Sequence, residues 1–250
     1  MFRLRPDYDL AVECCILAGR LMMESGAETY RAEDTMDRMA QSQHLTESQS
    51  FVTPTGILFS GNRAIPTRLA RISNRTTDLE KIALVNAVSR NLANKVITLD
   101  EAYLELKKIE EEHKKYPFWI QIIAASIASG AFLLLFGANP TDIPLAMLAG
   151  GIGYTVSETL QVKTKVKFFA ELLAALIISV IAIASVEYGL GRDIDKIIIG
   201  SVMPLVPGLL ITNAIRDLMA GHFMSGLSKG AEAFLTAFAI GAGVAIVLSF

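Results

Sequence analysis

The chain has 250 residues, 52% of them hydrophobic, with 23 Lys and Arg against 25 Asp and Glu and a formal net charge of −2. That length admits one or two domains, and no basic patch marks a surface for nucleic acid. The even balance hides an asymmetry: charge crowds the chain up to Lys115, while beyond Tyr116 only Lys163, Lys165, Lys167, Arg192, Lys196, Arg216 and Lys229 are basic, separated by long apolar runs. The pattern predicts an α+β cytoplasmic domain over residues 1–116, followed by an all-α polytopic membrane domain over 117–250.

Residues 1–6 are few and followed by charge, so no signal peptide is expected. Residues 9–21 carry a helical period, with Leu10, Cys14, Leu17 and Leu21 on one face. Cys14 and Cys15 have no His or Cys at ligand spacing, which predicts core thiols in a reducing compartment and neither a metal nor a cofactor. Ser25-Gly26-Ala27-Glu28 has the spacing of a capping box and predicts a helix over 27–43. Residues 50–59 read as a strand with Pro54 at an edge or bulge, Gly61-Asn62-Arg63 as a turn, and 67–72 as a partner strand. Thr77-Asp78-Leu79-Glu80 and Thr98-Leu99-Asp100-Glu101 repeat the capping pattern at the heads of helices 78–95 and 99–113. The charges Glu24, Glu28, Arg31, Glu33, Asp34, Asp37 and Arg38 fit either a solvated helix face laced with i,i+3 and i,i+4 pairs or a docking surface. His44 and His113 are expected at the surface.

Five apolar segments follow, at 118–136, 143–161, 168–190, 197–215 and 230–250, each near the ~20 residues that a hydrocarbon core of about 30 Å requires. About five transmembrane helices are therefore predicted. Small residues four apart (Ala146/Gly150, Ala149/Gly153, Gly226/Gly230, Ala237/Gly241, Gly241/Ala245) allow close helix packing. Lys114 and Lys115 precede the first segment, Lys163, Lys165 and Lys167 lie between the second and third, and Arg216 and Lys229 flank the fourth and fifth. The alternate loops have no net positive charge. The positive-inside rule then puts the amino-terminal domain in the cytoplasm and Phe250 on the outer side. An odd number of spans suggests that another chain or a homo-oligomer completes the unit.

The fourth segment is interrupted by Pro204, Pro207 and Gly208, and Thr212, Asn213, Arg216 and Asp217 follow. A helix that only anchors gains nothing from such breaks, whereas one that opens its backbone to a solute does. Glu158, Glu171, Asp217 and Glu232 each lie near the cytoplasmic end of a segment and would line one mouth. A charge at the bilayer centre costs on the order of 2.5–3.5 kcal/mol, which makes such residues functional candidates. Thr212 and Asn213, with the freed backbone, are the expected substrate ligands. Asp217 or Glu232 is the expected proton carrier, and Arg216 is either a counter-ion of Asp217 or a positive-inside anchor. Gly150-Gly151-Ile152-Gly153 lies inside an apolar segment and reads as packing. No P-loop, Ser/His/Asp or HExxH pattern occurs, so secondary transport is expected and not catalysis.

Several strings are familiar together. They are Ala18-Gly19-Arg20-Leu21-Met22-Met23-Glu24-Ser25-Gly26-Ala27-Glu28-Thr29, Pro54-Thr55-Gly56-Ile57, Pro207-Gly208 with Thr212-Asn213-Ala214-Ile215-Arg216-Asp217-Leu218, and Ser225-Gly226 with Ala231-Glu232-Ala233. In this order, over nearly the whole chain, they resemble the threonine/serine exporter family. The Thr-Asn-Ala-Ile-Arg-Asp string is specific; His222 departs from the pattern, which has an acidic residue there. The resemblance implies export of threonine and serine driven by proton-motive force, across the bacterial plasma (inner) membrane. It also implies a longer subunit of a split system, working with a short all-membrane companion. Split systems of this kind are also associated with dicarboxylate export, notably of succinate. A membrane-anchored sensor or regulatory subunit, without transport of its own, is the alternative from another class.

Overall fold

The computed structural model describes residues 6–61, 66–112, 116–164 and 166–249. Residues 1–5, Asn62 and Arg63 of the expected turn, His113, Lys114, Lys115, Lys165 and Phe250 lie outside them. Two compact units share the chain: Met1–Lys114 with Leu209–Gly230, and Lys115–Gly208 with Ala231–Phe250.

In the first unit, helix α1 (Pro6–Glu24) ends where Gly26 takes φ +84°, a backbone conformation open to glycine at little steric cost. The Ala27 N–H then reaches the Met22 carbonyl and the Gly26 N–H the Met23 carbonyl, at 3.0 and 3.2 Å, which is a Schellman stop. Ser25 therefore closes α1 and does not open the next helix. Helix α2 (Thr29–Ser42) starts after Glu28, whose extended backbone stands at the N-cap but whose side chain makes no capping bond. The strand expected over 50–59 is a hairpin of β1 (Gln49–Thr53) and β2 (Gly56–Ser60), turned at Pro54-Thr55. The Thr53 hydroxyl fixes that turn, donating to the Gly56 carbonyl and accepting from the Gly56 N–H. Strand β3 (Arg68–Arg71) pairs antiparallel with β2, giving the order β1-β2-β3.

Helix α3 (Leu79–Ala93) is capped by Asp78, and α4 (Leu99–Glu111) opens on the full capping box of Thr98 and Glu101. Met22, Met36, Met39, Ile57, Phe59, Val85 and Leu106 meet in the core of this unit. Each such side chain contributes about 1.5–3 kcal/mol when fully buried. Cys14 and Cys15 are buried among them as free thiols, and burial pushes the Cys14 thiol up to about 12. Helix α9 (Gly208–Met219), from Leu209 on, and the first turns of α10 (Phe223–Leu248) also belong here.

The second unit holds α5 (Phe118–Leu135), α6 (Ile143–Thr164), α7 (Lys167–Glu187), α8 (Ile194–Val202) and the remainder of α10. Helix α6 packs against α5, α7 and α8. Its small residues permit the approach: a Cβ on Gly150 would strike Ser129 of α5, and one on Gly153 would strike Ile178 of α7. Asp142, fully buried before α6, accepts from the Arg192 and Asp193 N–H groups at 3.1 and 3.3 Å and so holds the segment that leads into α8. After α8 the chain makes a 3-10 turn at Met203–Leu205, and Val206 is extended, as the residue before Pro207 must be.

The expected fold class is overturned. The first unit is mostly helical with one small sheet, and it is not a separate α+β domain, because residues 209–230 complete it. Five spans are not found among the described residues either. Among the described residues three helices are long and apolar enough to cross a membrane: Phe118–Leu135, Lys167–Glu187 and Phe223–Leu248. A fourth arises only if the bent pair Ile194–Leu205 and Gly208–Met219 is one span. Helix α6 is long enough, but Gly150, Gly151, Thr155, Ser157, Glu158 and Lys163 dilute its apolar character.

Candidate functional site

Asn213, Arg216 and Asp217 sit at i, i+3 and i+4 of α9 and so share one face. That face meets the turn between α1 and α2. The Asn213 amide donates to the Gly26 carbonyl at 2.8 Å. Arg216 pairs with Glu28 Oε1 at 2.6 Å, and Arg31 reaches Glu28 Oε2 at 3.3 Å. Burial alone would raise the Glu28 carboxyl. Its own backbone N–H and the two guanidinium groups outweigh burial and hold it below the ordinary range.

Asp217 is the centre of the cluster and is fully buried. Oδ1 accepts from the Thr29 backbone N–H and Oδ2 from the Thr29 hydroxyl, both at 2.9 Å. Lys229 on α10, also buried, approaches Oδ2 to 2.8 Å and donates to the Ala27 carbonyl at 3.0 Å. Asp217 thus supplies the N-terminal cap that α2 lacks locally, and Lys229 is its counter-ion. Both charges are removed from water, and close pairing with extra donors is what makes that tolerable. Nearby, the Ser225 hydroxyl donates to the Val52 carbonyl at 3.3 Å, and His222 Nε2 lies 3.7 Å from Glu33 Oε2.

An open groove of about 580 Å³ in the same unit is lined by Glu33, Asp37, Ser50, Phe51 and Leu58 among others. Burial raises the Glu33 carboxyl above its ordinary range, against the Val52 N–H and His222 and with the help of Asp37 and Asp217. Burial likewise raises Asp37, although the Ser50 hydroxyl opposes it.

The remaining expected site residues fall in the second unit. Lys167 lies 3.5 Å from Glu232 Oε1 and 3.9 Å from Glu171 Oε1, so these two carboxylates do meet. Glu158 stands on α6 near Tyr154, whose hydroxyl donates to Gln121. Pro204 opens the 3-10 turn, while Pro207 and Gly208 form the break before α9; Thr212 is exposed on α9. Of the four carboxylates expected at one mouth, Asp217 belongs to the first unit and Glu158, Glu171 and Glu232 to the second. Arg216 is paired with Glu28 and not, as one expectation had it, with Asp217. Thr29, Lys229 and Asp142 escaped sequence reasoning: Lys229 reads as a loop charge, and nothing local marks Thr29 or Asp142. Among the described residues no three His, Cys, Asp or Glu side chains converge as metal ligands would.

The model of the family described as "Putative threonine/serine exporter" matches residues 13–250. A "Probable threonine/serine exporter" of Mycobacterium tuberculosis is 24% identical over 90% of the chain and 44% of its own length. A "Probable succinate transporter subunit YjjP" of Klebsiella aerogenes is 21% identical over 94% of the chain and 92% of its own length, and the Escherichia coli protein of the same name matches equally. The chain thus spans less than half of the first relative and nearly all of the other two. No solved structure matches it.

Proposed function

We propose that this chain, which belongs to the threonine/serine exporter family, is a subunit of a secondary-active exporter of small polar metabolites, with threonine and serine ahead of dicarboxylates. The family match and several apolar helices make it a multi-pass membrane transport protein. The observation that carries the substrate preference is the way Asp217 is held. Its two oxygens take the N–H and the β-hydroxyl of one threonine, Thr29. Free threonine and serine present the same two donors, as ammonium and hydroxyl. A dicarboxylate would bring like charge to a buried carboxylate, which disfavours it.

In this reading the turn at Gly26–Thr29 occupies the α9 face while no substrate is bound. Substrate displaces Thr29 from Asp217, Lys229 keeps the carboxylate paired, and the break at Pro204, Pro207 and Gly208 absorbs the movement. Outward flux is coupled to proton-motive force. Lys163, Lys167, Arg216 and Lys229 favour a cytoplasmic amino-terminal unit in a bacterial inner membrane. Two relatives are named as transporter subunits, which supports a short all-membrane companion or a homo-oligomer as partner. The test is efflux of labelled threonine, serine and succinate from vesicles, with and without a companion chain. Threonine and serine efflux is expected; succinate alone would establish the dicarboxylate alternative.

The groove beside Glu33 and Asp37 favours a second reading, a sensor or regulatory subunit without transport of its own. That reading requires ligand binding to the first unit with no flux of any of the three solutes.

A further inference from the structure

Helix α9 is amphipathic in an inverted sense. Its polar residues Asn213 and Asp217, with Lys229 and Ser225 of α10, are turned into the first unit. There the turn at Gly26–Thr29 and Val52 of β1 take up their hydrogen bonds. The outward face of α9 carries Ile211, Ile215, Leu218 and Met219, at i, i+4, i+7 and i+8 of one stripe. Gly221, at φ +87°, stops the helix, and the His222 N–H reaches the Asp217 carbonyl at 2.8 Å. The chain returns at once as α10, whose outward residues Phe223 and Leu227 are apolar as well. Met219, Phe223 and Leu227 are 84, 68 and 70% exposed. Among the described residues 209–230, Arg216 is the only exposed one that is charged. A solvated face of the same unit differs: α4 presents Asp100, Glu101, Glu105 and Lys108 around an isolated exposed Leu104. A continuous exposed apolar face marks a surface that something covers.

The continuity of α10 identifies the cover. It is one unbroken helix of 26 residues, apolar enough to cross a membrane. At 1.5 Å per residue it is about 39 Å long against about 30 Å of hydrocarbon. Its first turns therefore have room to stand in the headgroup layer. Phe223, Leu227, Phe234 and Phe238 are all exposed, and at 100° per residue they fall within about 60° of one another. The outward stripe at the start of α10 is thus the stripe that faces lipid along the span. Helix α9, with 12 residues, is about 18 Å long, too short to cross alone. One apolar face and one polar face suit it to lie along the boundary of the bilayer. Arg216, whose side chain remains 55% exposed beside Glu28, stands at the border of the two faces, where a cation meets phosphate headgroups.

We propose that the hairpin of α9 and the start of α10 docks on the bilayer, with the apolar face of α9 sunk between headgroups and acyl chains. The buried pair of Asp217 and Lys229, on the opposite side of α9, then lies within one helix diameter of about 10 Å from lipid. The inference rests on α10 being a membrane helix and on no choice of solute.

Nitroxide labels on single introduced cysteines, in the full chain reconstituted in phospholipid vesicles, test the docking. Cys14 and Cys15 are buried and resist labelling at neutral pH, which the unsubstituted chain verifies. Phe234→Cys supplies the lipid reference and Glu105→Cys the water reference. Ile215→Cys and Met219→Cys, both at exposed positions outside the core, are expected to follow Phe234→Cys. Relaxation enhancement by oxygen should there exceed that by a water-soluble nickel chelate several-fold, the reverse of Glu105→Cys. A nickel-dominated ratio at either α9 position overturns the proposal. So does a label immobilised and shielded from both reagents, which would mean that a second copy or another chain covers the hairpin. Nickel access at Phe234→Cys as well would count against the membrane reading of α10 itself, so the two failures are told apart.

Discussion

Asp217 and Lys229 carry opposite charges with almost no access to water, and each is the other's ion-pair partner. Removing one leaves the other buried and uncompensated, which costs about 3–5 kcal/mol. Asp217→Ala is therefore expected to lower the unfolding midpoint sharply. Asp217→Ala combined with Lys229→Met should recover much of the loss, because the stranded ammonium is gone; thermal unfolding in detergent measures both. Glu28 gives a pH dependence. Its carboxyl is held below the ordinary glutamate value of 4.5, so the folded state favours the ionised form. Its contribution is fully present above about pH 4.5 and is lost as pH falls through the lowered folded value. Glu28→Gln should flatten that acid limb of the stability curve; an unchanged limb would mean that the pair with Arg216 contributes nothing. Residue type and spacing singled out Asn213, Arg216 and Asp217 in the sequence. Their partners were not legible, because a helical period reveals a shared face and not what covers it.

Elements whose determinants are local could be read in advance. The capping box at Thr98 needs only Glu101, and the structure contains it. The box read at Ser25–Glu28 has the same spacing, yet Gly26 turns the chain into a Schellman stop and the cap of α2 arrives from Asp217, 188 positions away. No local pattern announces a cap supplied from that distance. The strand read over 50–59 folds back at Pro54-Thr55, where the absence of a proline N–H favours a turn over a bulge. Small-residue spacing was informative in part. A Cβ on Gly226 would lie 2.6 Å from Leu218 Cγ and 2.9 Å from the Ala214 carbonyl, whereas nothing comes within 4 Å of one on Gly241. Gly226→Val is accordingly expected to destabilise the packing of α9 on α10 by about 1–3 kcal/mol. Gly241→Ala should be near neutral or slightly stabilising; equal effects at the two sites would contradict the described packing.

At the scale of the whole molecule, hydropathy marks where apolar helices lie but not which unit they join. The charge asymmetry near residue 116 coincides with one passage of the chain between units, but the chain passes again after Gly208 and after Gly230. Those later passages were hidden because α9 and the start of α10 are apolar enough to read as spans while their polar faces meet the amino-terminal turn. This arrangement brings together two of the strings by which the chain resembles its family: Ser25–Thr29 and Thr212–Asp217. In the proposed exporter their meeting point recognises a β-hydroxy amino acid. Counterflow of labelled threonine, serine and succinate in vesicles, with wild type beside Asp217→Asn, tests it most directly. Threonine and serine counterflow by the wild type, lost or reduced at least tenfold in Asp217→Asn, which is about 1.4 kcal/mol, is the expected result. Succinate as the preferred solute, or threonine counterflow unchanged in Asp217→Asn, would contradict it.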